Sequence, residues 1–184
     1  MTTDTTKRSP DTSPSIRTLD ADGYRAAIPG LSALIVDAVE GGASVNFLYG
    51  VTVADAAAWW RARIDDVAHG VTTPFVALDD EQIVGSLLLI RSTNPNSPHR
   101  AEVAKVIVHR RARRRGLASA IMAAAEDMAR TEGRWLLFLD TVTRSPAAAF
   151  YERLGWQEAG TIPYYALLPD GEPAPATFYW KDLR

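Results

Sequence analysis

Residues 103–119 read VAKVIVHRRARRRGLAS and join an apolar segment to a cluster of arginines. The residues before His109 have the composition of a buried strand, and apolar residues after Gly116 recur at helical spacing. The turn between strand and helix holds five arginines, Arg110, Arg111, Arg113, Arg114 and Arg115. The N–H groups at a helix N-terminus carry about half a positive charge, so each added cation is unfavourable by roughly 0.3–1 kcal/mol. An anion held between the arginines and these N–H groups removes the conflict, and the turn is therefore predicted to bind phosphate.

Composition narrows the class of protein. The chain has 184 residues, 47% of them hydrophobic, which predicts one domain with a sizeable core. Its net charge is −2, so the arginine cluster is a local feature and no nucleic-acid partner is expected. There is no cysteine, which excludes disulfides, thiolate zinc sites and a catalytic thiol. The three histidines are not spaced as metal ligands, so no metal site is predicted.

The longest apolar runs and the N-terminal segment predict where in the cell the protein resides. The apolar runs are strand-sized, so no membrane span is expected. Residues 1–14 are rich in Thr, Ser, Pro and Asp and lack the apolar core of a signal peptide, so they are predicted to be a disordered tail. Residues 15–184 are predicted to form a single domain, and the protein is predicted to be cytoplasmic.

The predicted elements alternate in type and indicate a mixed α/β fold with a largely antiparallel first half. Strands are predicted at 16–19, 74–78, 83–91, 101–108, 135–139 and 177–180. Helices are predicted through 31–39, at 54–68, at 115–132 and from Pro146 through Leu154. A turn at 79–82 makes the strands on either side of it antiparallel neighbours.

The loop and a later segment resemble one known family. Arg113-x-x-Gly116-x-Ala118 between a strand and a helix resembles the pyrophosphate loop of the GNAT superfamily, the acetyl-CoA-dependent N-acetyltransferases. The run FYERLGW at 150–156 resembles the late motif of that family, a tyrosine on a short helix followed by Leu-Gly-aromatic. The resemblance covers 102–156 with motifs. It implies a GNAT-like central mixed sheet with flanking helices, and acetyl-CoA as the co-substrate.

The same resemblance implies which residues contact the co-substrate. They belong to the end of the strand and the start of the helix: Val106, Ile107, Val108, Arg113, Arg114, Arg115, Gly116, Leu117, Ala118 and Ser119. A backbone N–H near Ile107 or Val108 is expected to polarise the thioester carbonyl. Five cations cannot all contact one pyrophosphate, so Arg110 and Arg111 are expected to face solvent or a 3′-phosphate.

Acetyl transfer to an amine needs a base for the amine and a proton for the leaving thiolate. Glu102 and Asp140 are the candidate general bases, because partial burial near a strand end would raise a carboxyl pKa toward the operating pH. Glu102 could instead pair with Arg100 or Lys105, and Asp140 could be a turn residue. Tyr151 is the candidate acid. Because the chain has no cysteine, direct attack in a ternary complex is favoured over an acetyl-enzyme.

The acceptor is expected between an early and a late segment of the chain. Ser44, Asn46 and Phe47 lie in the first segment and Tyr164 in the second, and all four are predicted to bind substrate. The polar and aromatic composition favours a small, amino-acid-like amine, and a protein N-terminus or lysine stays open. Several segments also resemble toxin-inactivating members of the family. The protein is expected to be a monomer or a homodimer.

Two other functions compete with catalysis. A sensor that binds acetyl-CoA without catalysis would keep the loop but would not need Glu102, Asp140 and Tyr151 together. A nucleic-acid-binding domain would use the arginine cluster, and it is disfavoured by the net charge and by the position of the arginines directly before Gly116.

Overall fold

A single mixed sheet organises the computed structural model, which describes residues 14–184. Its strands are β1 Ser15–Thr18, β2 Thr72–Asp79, β3 Gln82–Arg91, β4 Arg100–Val108, β5 Leu136–Val142, β6 Gln157–Leu167 and β7 Pro173–Asp182. The order across the sheet is β1-β2-β3-β4-β5-β7-β6. Neighbours are antiparallel except β4 and β5, which are parallel. The predicted mixed α/β class with antiparallel N-terminal strands is confirmed.

Helices cover both faces of the sheet. They are α1 Ala21–Glu40, α2 Val53–Arg61, α3 Ile64–Ala68, α4 Leu117–Thr131 and α5 Pro146–Arg153. Apolar residues of α1, α2 and α3 form one core with Val76, Leu88 and Ile107 of the sheet. Apolar residues of α4 and α5 form a second core on the opposite face, with strand residues that include Val103 and Leu139. The alternation of side chains along each strand divides the sheet residues between the two cores.

β4 and β5 separate soon after they begin. Their pairing ends at Glu102 and Phe138, and beyond that point β5 pairs only with β7. β4 continues to Val108 with β3 on its other side, so one edge of its second half carries no strand partner. The resulting gap between two neighbouring strands lies next to the turn that leads into α4.

Several predicted elements are confirmed, with small changes at their ends. Ser145 caps α5 by accepting a hydrogen bond from the N–H of Ala148, and Pro146 occupies the first helical turn. β5 extends three residues beyond its predicted end at Leu139, so Asp140 lies within the strand and not at its end. The predicted disordered tail, apart from Pro14, lies outside the described residues. Within residues 14–184, no helix is long and apolar enough to cross a membrane.

The single helix predicted at 54–68 is wrong, because the structure has two helices there. Arg63 leaves helical geometry with φ −109°, and its Nη1 donates to the carbonyl of Trp59 at 2.7 Å. That carbonyl would accept from the N–H of Arg63 if the helix continued, and the N–H bonds instead to the carbonyl of Trp60. The side chain of Arg63 therefore takes the place of one backbone bond at the break.

β6 was not predicted at all. It is an edge strand whose side chains are mostly exposed, and its register with β7 shifts at two places. Irregular pairing removes the alternation that identifies a half-buried strand, and an edge position tolerates Pro163. Tyr164, for which no strand was predicted, therefore lies within a strand, with φ +56° and 81% of its surface exposed.

Candidate active site

The N-terminus of α4 is open for an anion. Gly116 caps the helix in the left-handed region at φ +78°, and it offers no side chain to the N–H groups of the first turn. Arg114 is also left-handed, at φ +62°. Within the described chain, the N–H groups of Leu117, Ala118 and Ser119 find no acceptor. A Cβ placed on Gly116 would meet no atom within 4 Å apart from its chain neighbours, so no other part of the protein covers this position of the backbone.

The arginine cluster is partly neutralised inside the protein. Arg110 donates through its N–H and Nε to the carboxylate of Asp37, at 2.9 and 2.8 Å, and through a terminal nitrogen to Glu40 at 3.0 Å. Arg115 makes two bonds to Asp79, at 2.6 and 3.3 Å. Arg110 is exposed, as expected, with 45% of its side-chain surface accessible, and its hydrogen bonds also tie the loop to the C-terminal end of α1.

The remaining arginines differ in what they contact. Arg111 donates to Gln82 at 2.5 Å, and Arg113 donates through Nε to the carbonyl of Val108 at 3.2 Å. The side chain of Arg114 has no hydrogen bond or ion pair anywhere in residues 14–184. Arg114 is therefore the arginine of the cluster whose guanidinium is most available to a ligand.

These differences predict separate effects of two substitutions. We expect Arg114→Gln to weaken acetyl-CoA binding about fivefold at low salt, the usual size for one exposed ion pair, without changing Tm. Arg110→Gln should lower Tm by a few degrees and leave the affinity unchanged, because it leaves the buried carboxylate of Asp37 without its main partner. Titration calorimetry and thermal unfolding of both variants check this. A loss of affinity in Arg110→Gln with an unchanged Tm would contradict the assignment.

The gap between β4 and β5 lies along the residues predicted to contact the co-substrate. Val106, Ile107 and Val108 occupy the part of β4 that has β3 as a partner on one side and no strand on the other. The loop that ends at Gly116 follows directly. The predicted contacts therefore form one continuous run, from the unpartnered edge of a strand to the open end of a helix.

The two candidate bases lie on the same face of the sheet. Glu102 pairs in register with Phe138, and Asp140 is two residues further along β5, so all three side chains point to the face covered by α1, α2 and α3. Neither carboxylate forms an ion pair or a hydrogen bond with another side chain within residues 14–184, so the alternative pairing of Glu102 with Arg100 or Lys105 is not found.

The surroundings of both carboxylates favour the protonated form relative to water. Partial burial raises the pKa of Glu102, and the nearby charge of Asp140 raises it further, against the opposing effect of Lys105. Removal of water by the surrounding protein also raises the pKa of Asp140, although its outer surface stays exposed. Glu102 lines an open cavity together with Phe138 and the polar segment 92–94. A carboxyl group with a raised pKa beside a cavity is a suitable general base.

Tyr151, on α5, is held in a buried aromatic cluster. Its ring packs against Trp156 and Tyr179, with centroids 6.0 and 6.3 Å away, and 6% of the residue is exposed. Within the described residues its hydroxyl has no hydrogen-bond partner. Burial raises the pKa of this hydroxyl, and the charge of Asp140 adds to the effect. The phenol therefore keeps its proton at neutral pH and can act as a donor.

The predicted acceptor residues fall into two groups. Asn46 accepts a hydrogen bond from Lys105, and Phe47 packs edge-on against Trp59, with centroids 6.3 Å apart. Ser44 donates to the carbonyl of Leu167 at 3.3 Å, so it fastens its loop to β6. Tyr164 extends from β6 into solvent. Asn46 and Phe47 are therefore brought together on the face that carries Glu102.

Lys105 and Arg63 were not among the predicted site residues. Lys105 Nζ lies 4.6 Å from the centre of the Trp59 ring, and the guanidinium carbon of Arg63 lies 3.3 Å from the same centre. The sequence signal for Lys105 was a charged residue in the middle of an apolar strand. No comparable signal existed for Arg63, because its position depends on the break between α2 and α3. Among the described residues, no group of three or more His, Asp or Glu side chains could hold a metal ion.

Comparisons with known proteins identify the family and the fold. The family model described as acetyltransferase (GNAT) matches residues 45–156. An N-acetyltransferase from Staphylococcus aureus Mu50 has a similar structure, with a TM-score of 0.75 and 18% identity over 94% of this chain and 99% of that one. The protein yncA from Salmonella typhimurium, solved with its cofactor acetyl-CoA, gives a TM-score of 0.72 and 19% identity over 94% and 95% of the two chains.

A curated protein also resembles part of the chain in sequence. N-alpha-acetyltransferase 30 of Schizosaccharomyces pombe is 29% identical over 83 residues, which are 45% of this chain and 55% of that protein. The chain thus matches only about half the length of this relative.

Proposed function

Because the chain belongs to the acetyltransferase (GNAT) family, we propose that it moves the acetyl group of acetyl-CoA to the primary amine of a small polar molecule. The observation that carries this proposal is the arrangement along β4. Glu102 lies where the gap between β4 and β5 begins, residues 106–108 border the gap, and the open N-terminus of α4 follows the next loop. A candidate base, a cleft and a candidate anion site therefore lie along one continuous stretch of chain, which supports the proposal.

The residues present are suited to bind acetyl-CoA, which supplies an activated acetyl thioester when bound. The N–H groups of Leu117, Ala118 and Ser119, together with the side chain of Arg114, would hold its pyrophosphate. Gly116 leaves room for the phosphates to approach the backbone. A backbone N–H on the unpartnered edge of β4, near Ile107 or Val108, would donate to the thioester carbonyl and stabilise the negative charge that develops there.

Glu102 would accept the proton of the acceptor ammonium, directly or through a water molecule in the cavity that it lines. Asp140 would keep the pKa of Glu102 raised. The freed amine would then attack the acetyl carbon, and the C–S bond would break as the thiolate leaves. Tyr151 would give its proton to the thiolate, and the proton that the new amide nitrogen loses would restore the phenol. The chain offers no cysteine to carry an acetyl group, which supports direct attack in a ternary complex.

The raised pKa of Glu102 leads to a prediction about pH dependence. The base acts as a carboxylate, so kcat/KM should fall as pH drops through its pKa, and the acidic limb should lie above the ordinary glutamate value of about 4.3. Asp140→Asn removes a charge that raises this pKa, so the limb should shift to lower pH while turnover remains measurable.

Glu102→Gln is the matched variant, and it should lower kcat by about tenfold to a hundredfold. The pH profiles of the wild type and both variants, measured with the same acceptor, test the assignment. If Asp140→Asn abolished turnover while Glu102→Gln kept it, the roles of the two carboxylates would be reversed.

The finer identity of the acceptor is also part of the proposal. Segments at 41–45, 100–103, 139–141, 149–151 and 169–171 resemble tabtoxin resistance protein, an acetyltransferase that inactivates a β-lactam phytotoxin. Inactivation of a toxin of the tabtoxinine-β-lactam type is therefore one candidate activity. The similarity to N-alpha-acetyltransferase 30 favours a second candidate, acetylation of a protein N-terminus. A sensor without catalysis would explain the proposed anion site. It would leave the raised pKa of Glu102 and of Asp140, and the buried phenol of Tyr151, without a role.

Release of coenzyme A from acetyl-CoA against a panel of amines tests the proposal. The panel contains tabtoxinine-β-lactam, free amino acids, polyamines, aminoglycosides and peptides with free N-termini, with products identified by mass. We expect turnover of a small amino-acid-like amine. Turnover of peptides alone would favour the N-terminal acetyltransferase. Binding of acetyl-CoA without turnover of any amine would favour the sensor.

A further inference from the structure

A bulge in β4 turns Lys105 toward the acceptor side of the sheet. Ser86 pairs with Ile107 and Leu88 with Ala104, so β4 has one more residue than β3 in this stretch. Lys105 is left-handed at φ +52°, and the hydroxyl of Ser86 donates to its carbonyl at 2.9 Å. In a regular strand Lys105 would point to the face opposite Ala104. The extra residue places both side chains on the face of α1, α2 and α3.

On that face Lys105 and a second cation, Arg63, both lie against the indole ring of Trp59. The Nζ of Lys105 donates to Asn46 Oδ1 at 2.5 Å and lies 4.6 Å from the centre of Trp59. Arg63 stacks on the same ring at 3.3 Å and donates to the Trp59 carbonyl. Phe47 packs against the edge of the indole. Both cations are half-buried and their positions are fixed by aromatic and hydrogen-bond contacts.

Neither cation has a carboxylate partner within the described residues. Two half-buried positive charges near each other repel, and the repulsion is stronger away from bulk water. Burial and then the charge of Arg63 lower the pKa of Lys105 to about 8, against the opposing effects of Asp140 and Glu102. Lys105 therefore stays largely protonated at neutral pH. Its positive charge is only partly compensated by the carboxylates of Asp140 and Glu102.

We propose that Lys105, with Arg63 beside it, binds the carboxylate of an amino-acid-like acceptor whose amine faces Glu102. The inference rests on the proposed function and names the class of substrate. The two halves of the site have opposite charge: Glu102 and Asp140 suit an ammonium group, and the cations around Trp59 suit a carboxylate. A zwitterion satisfies both halves at once. A peptide N-terminus has an amide where a free amino acid has its carboxylate, so this site would favour the free amino acid.

Matched pairs of acceptors test the proposal through catalysis. Each pair consists of an L-amino acid and its primary amide, with kcat/KM measured by coenzyme A release. We expect the wild type to prefer the acid by about 10–100-fold, the range for one hydrogen bond between charged groups. Lys105→Met keeps an apolar chain over Trp59 and should bring the preference to about 1. Lys105→Arg should keep it, and Arg25→Gln, which removes an exposed cation on α1, should leave it unchanged.

The ratio of kcat/KM for the amino acid to kcat/KM for its amide should also depend on pH. Arg63, Glu102 and Asp140 are the charged groups that act on the ammonium of Lys105. Binding of a carboxylate needs the protonated form, so the preference for the acid should fall as pH rises through about 8. Lys105→Arg serves as the control, because the amines of each pair titrate in the same way in both proteins while the guanidinium keeps its charge over this range. A wild-type preference with the same pH dependence as that of Lys105→Arg between pH 6 and 10 would contradict the role of Lys105.

A binding measurement separates this inference from the proposed function. N-acetyl-L-amino acids and their amides are mixed with the protein and coenzyme A, and saturation-transfer NMR reports which molecules bind. These probes keep the carboxylate and need no turnover. Binding of the acids that is lost in Lys105→Met supports the inference even if no amine is acetylated, in which case only the proposed function fails. Equal binding of acids and amides, or equal binding by the wild type and Lys105→Met, overturns the inference.

Discussion

Replacing Gly116 by aspartate should abolish acetyl-CoA binding, with an expected loss of affinity of about a thousandfold. Gly116 directly precedes the open first turn of α4, and no other part of the protein lies within 4 Å of an added Cβ, so a carboxylate there would lie close to a phosphate bound by the helix N–H groups. A carboxylate about 4 Å from a phosphate costs about 4 kcal/mol near a protein surface, which corresponds to a factor of about a thousand. Titration calorimetry with acetyl-CoA measures the loss.

Gly133→Asp is the matched control for Gly116→Asp. Gly133 follows the other end of α4, has φ +73°, and is likewise free of protein atoms within 4 Å of an added Cβ. Both variants therefore introduce the same side chain into left-handed backbone, and both should lower Tm by a similar amount. Only Gly116→Asp should lose the ligand. Unchanged affinity in Gly116→Asp, or equal losses in both variants, would contradict an anion site at the N-terminus of α4.

Tyr151→Phe should lower kcat by about 10²–10³-fold and leave acetyl-CoA binding nearly unchanged. The substitution removes a hydroxyl that has no hydrogen-bond partner within the described residues, and it keeps the ring that packs against Trp156 and Tyr179. The fold should therefore be preserved while the proposed proton donor for the thiolate is lost. Steady-state kinetics and calorimetry on the same preparation separate the two effects.

Tyr179→Phe controls for the loss of a phenol in the same aromatic cluster. The hydroxyl of Tyr179 donates to Glu152 at 2.9 Å and is not assigned to the reaction. This variant should keep kcat within about threefold, since it removes one ordinary side-chain hydrogen bond. If both variants lost kcat equally, the effect would belong to packing. If Tyr151→Phe lost affinity and turnover to the same extent, Tyr151 would be a binding residue and not the general acid.

The sequence was most informative where local patterns carry the structure. The apolar strand, the arginine turn and the amphipathic helix around Gly116 were predicted as they are found, because each depends on residues close together in the chain. The cap formed by Ser145 before Pro146 is another local signal, and it marked the start of α5 correctly. These elements place the predicted anion site and Tyr151 without any long-range information.

Features that depend on distant parts of the chain were not predictable. Arg110 is 73 residues away from Asp37, so nothing in its neighbourhood indicated that its charge is used internally. The bulge at Lys105 is defined by its pairing with β3, and it reverses the face that alternation alone would assign. β6 was missed because an exposed, irregular edge strand has no apolar alternation.

The charge of the proposed acceptor side could not be predicted from local sequence either. The residue types at 44–47 indicated a polar and aromatic surface, but its charge comes from Lys105 and Arg63, which reach Trp59 from two other elements. The sequence could therefore suggest a small polar amine, and the arrangement in space adds a reason for that amine to carry a carboxylate. The positions of Glu102 and Asp140 on one face follow from the parallel register of β4 and β5.

Transfer of an isotope-labelled acetyl group tests the central claim most directly. The protein is mixed with labelled acetyl-CoA and an equimolar mixture of the L-amino acids and tabtoxinine-β-lactam, and the masses of products and protein are followed with time. We predict that the label appears on the nitrogen of an amino-acid-like acceptor, that the protein itself stays unlabelled, and that Tyr151→Phe slows the transfer. Label that first accumulates on the protein, or acetyl-CoA that stays intact although it is bound, would contradict the account.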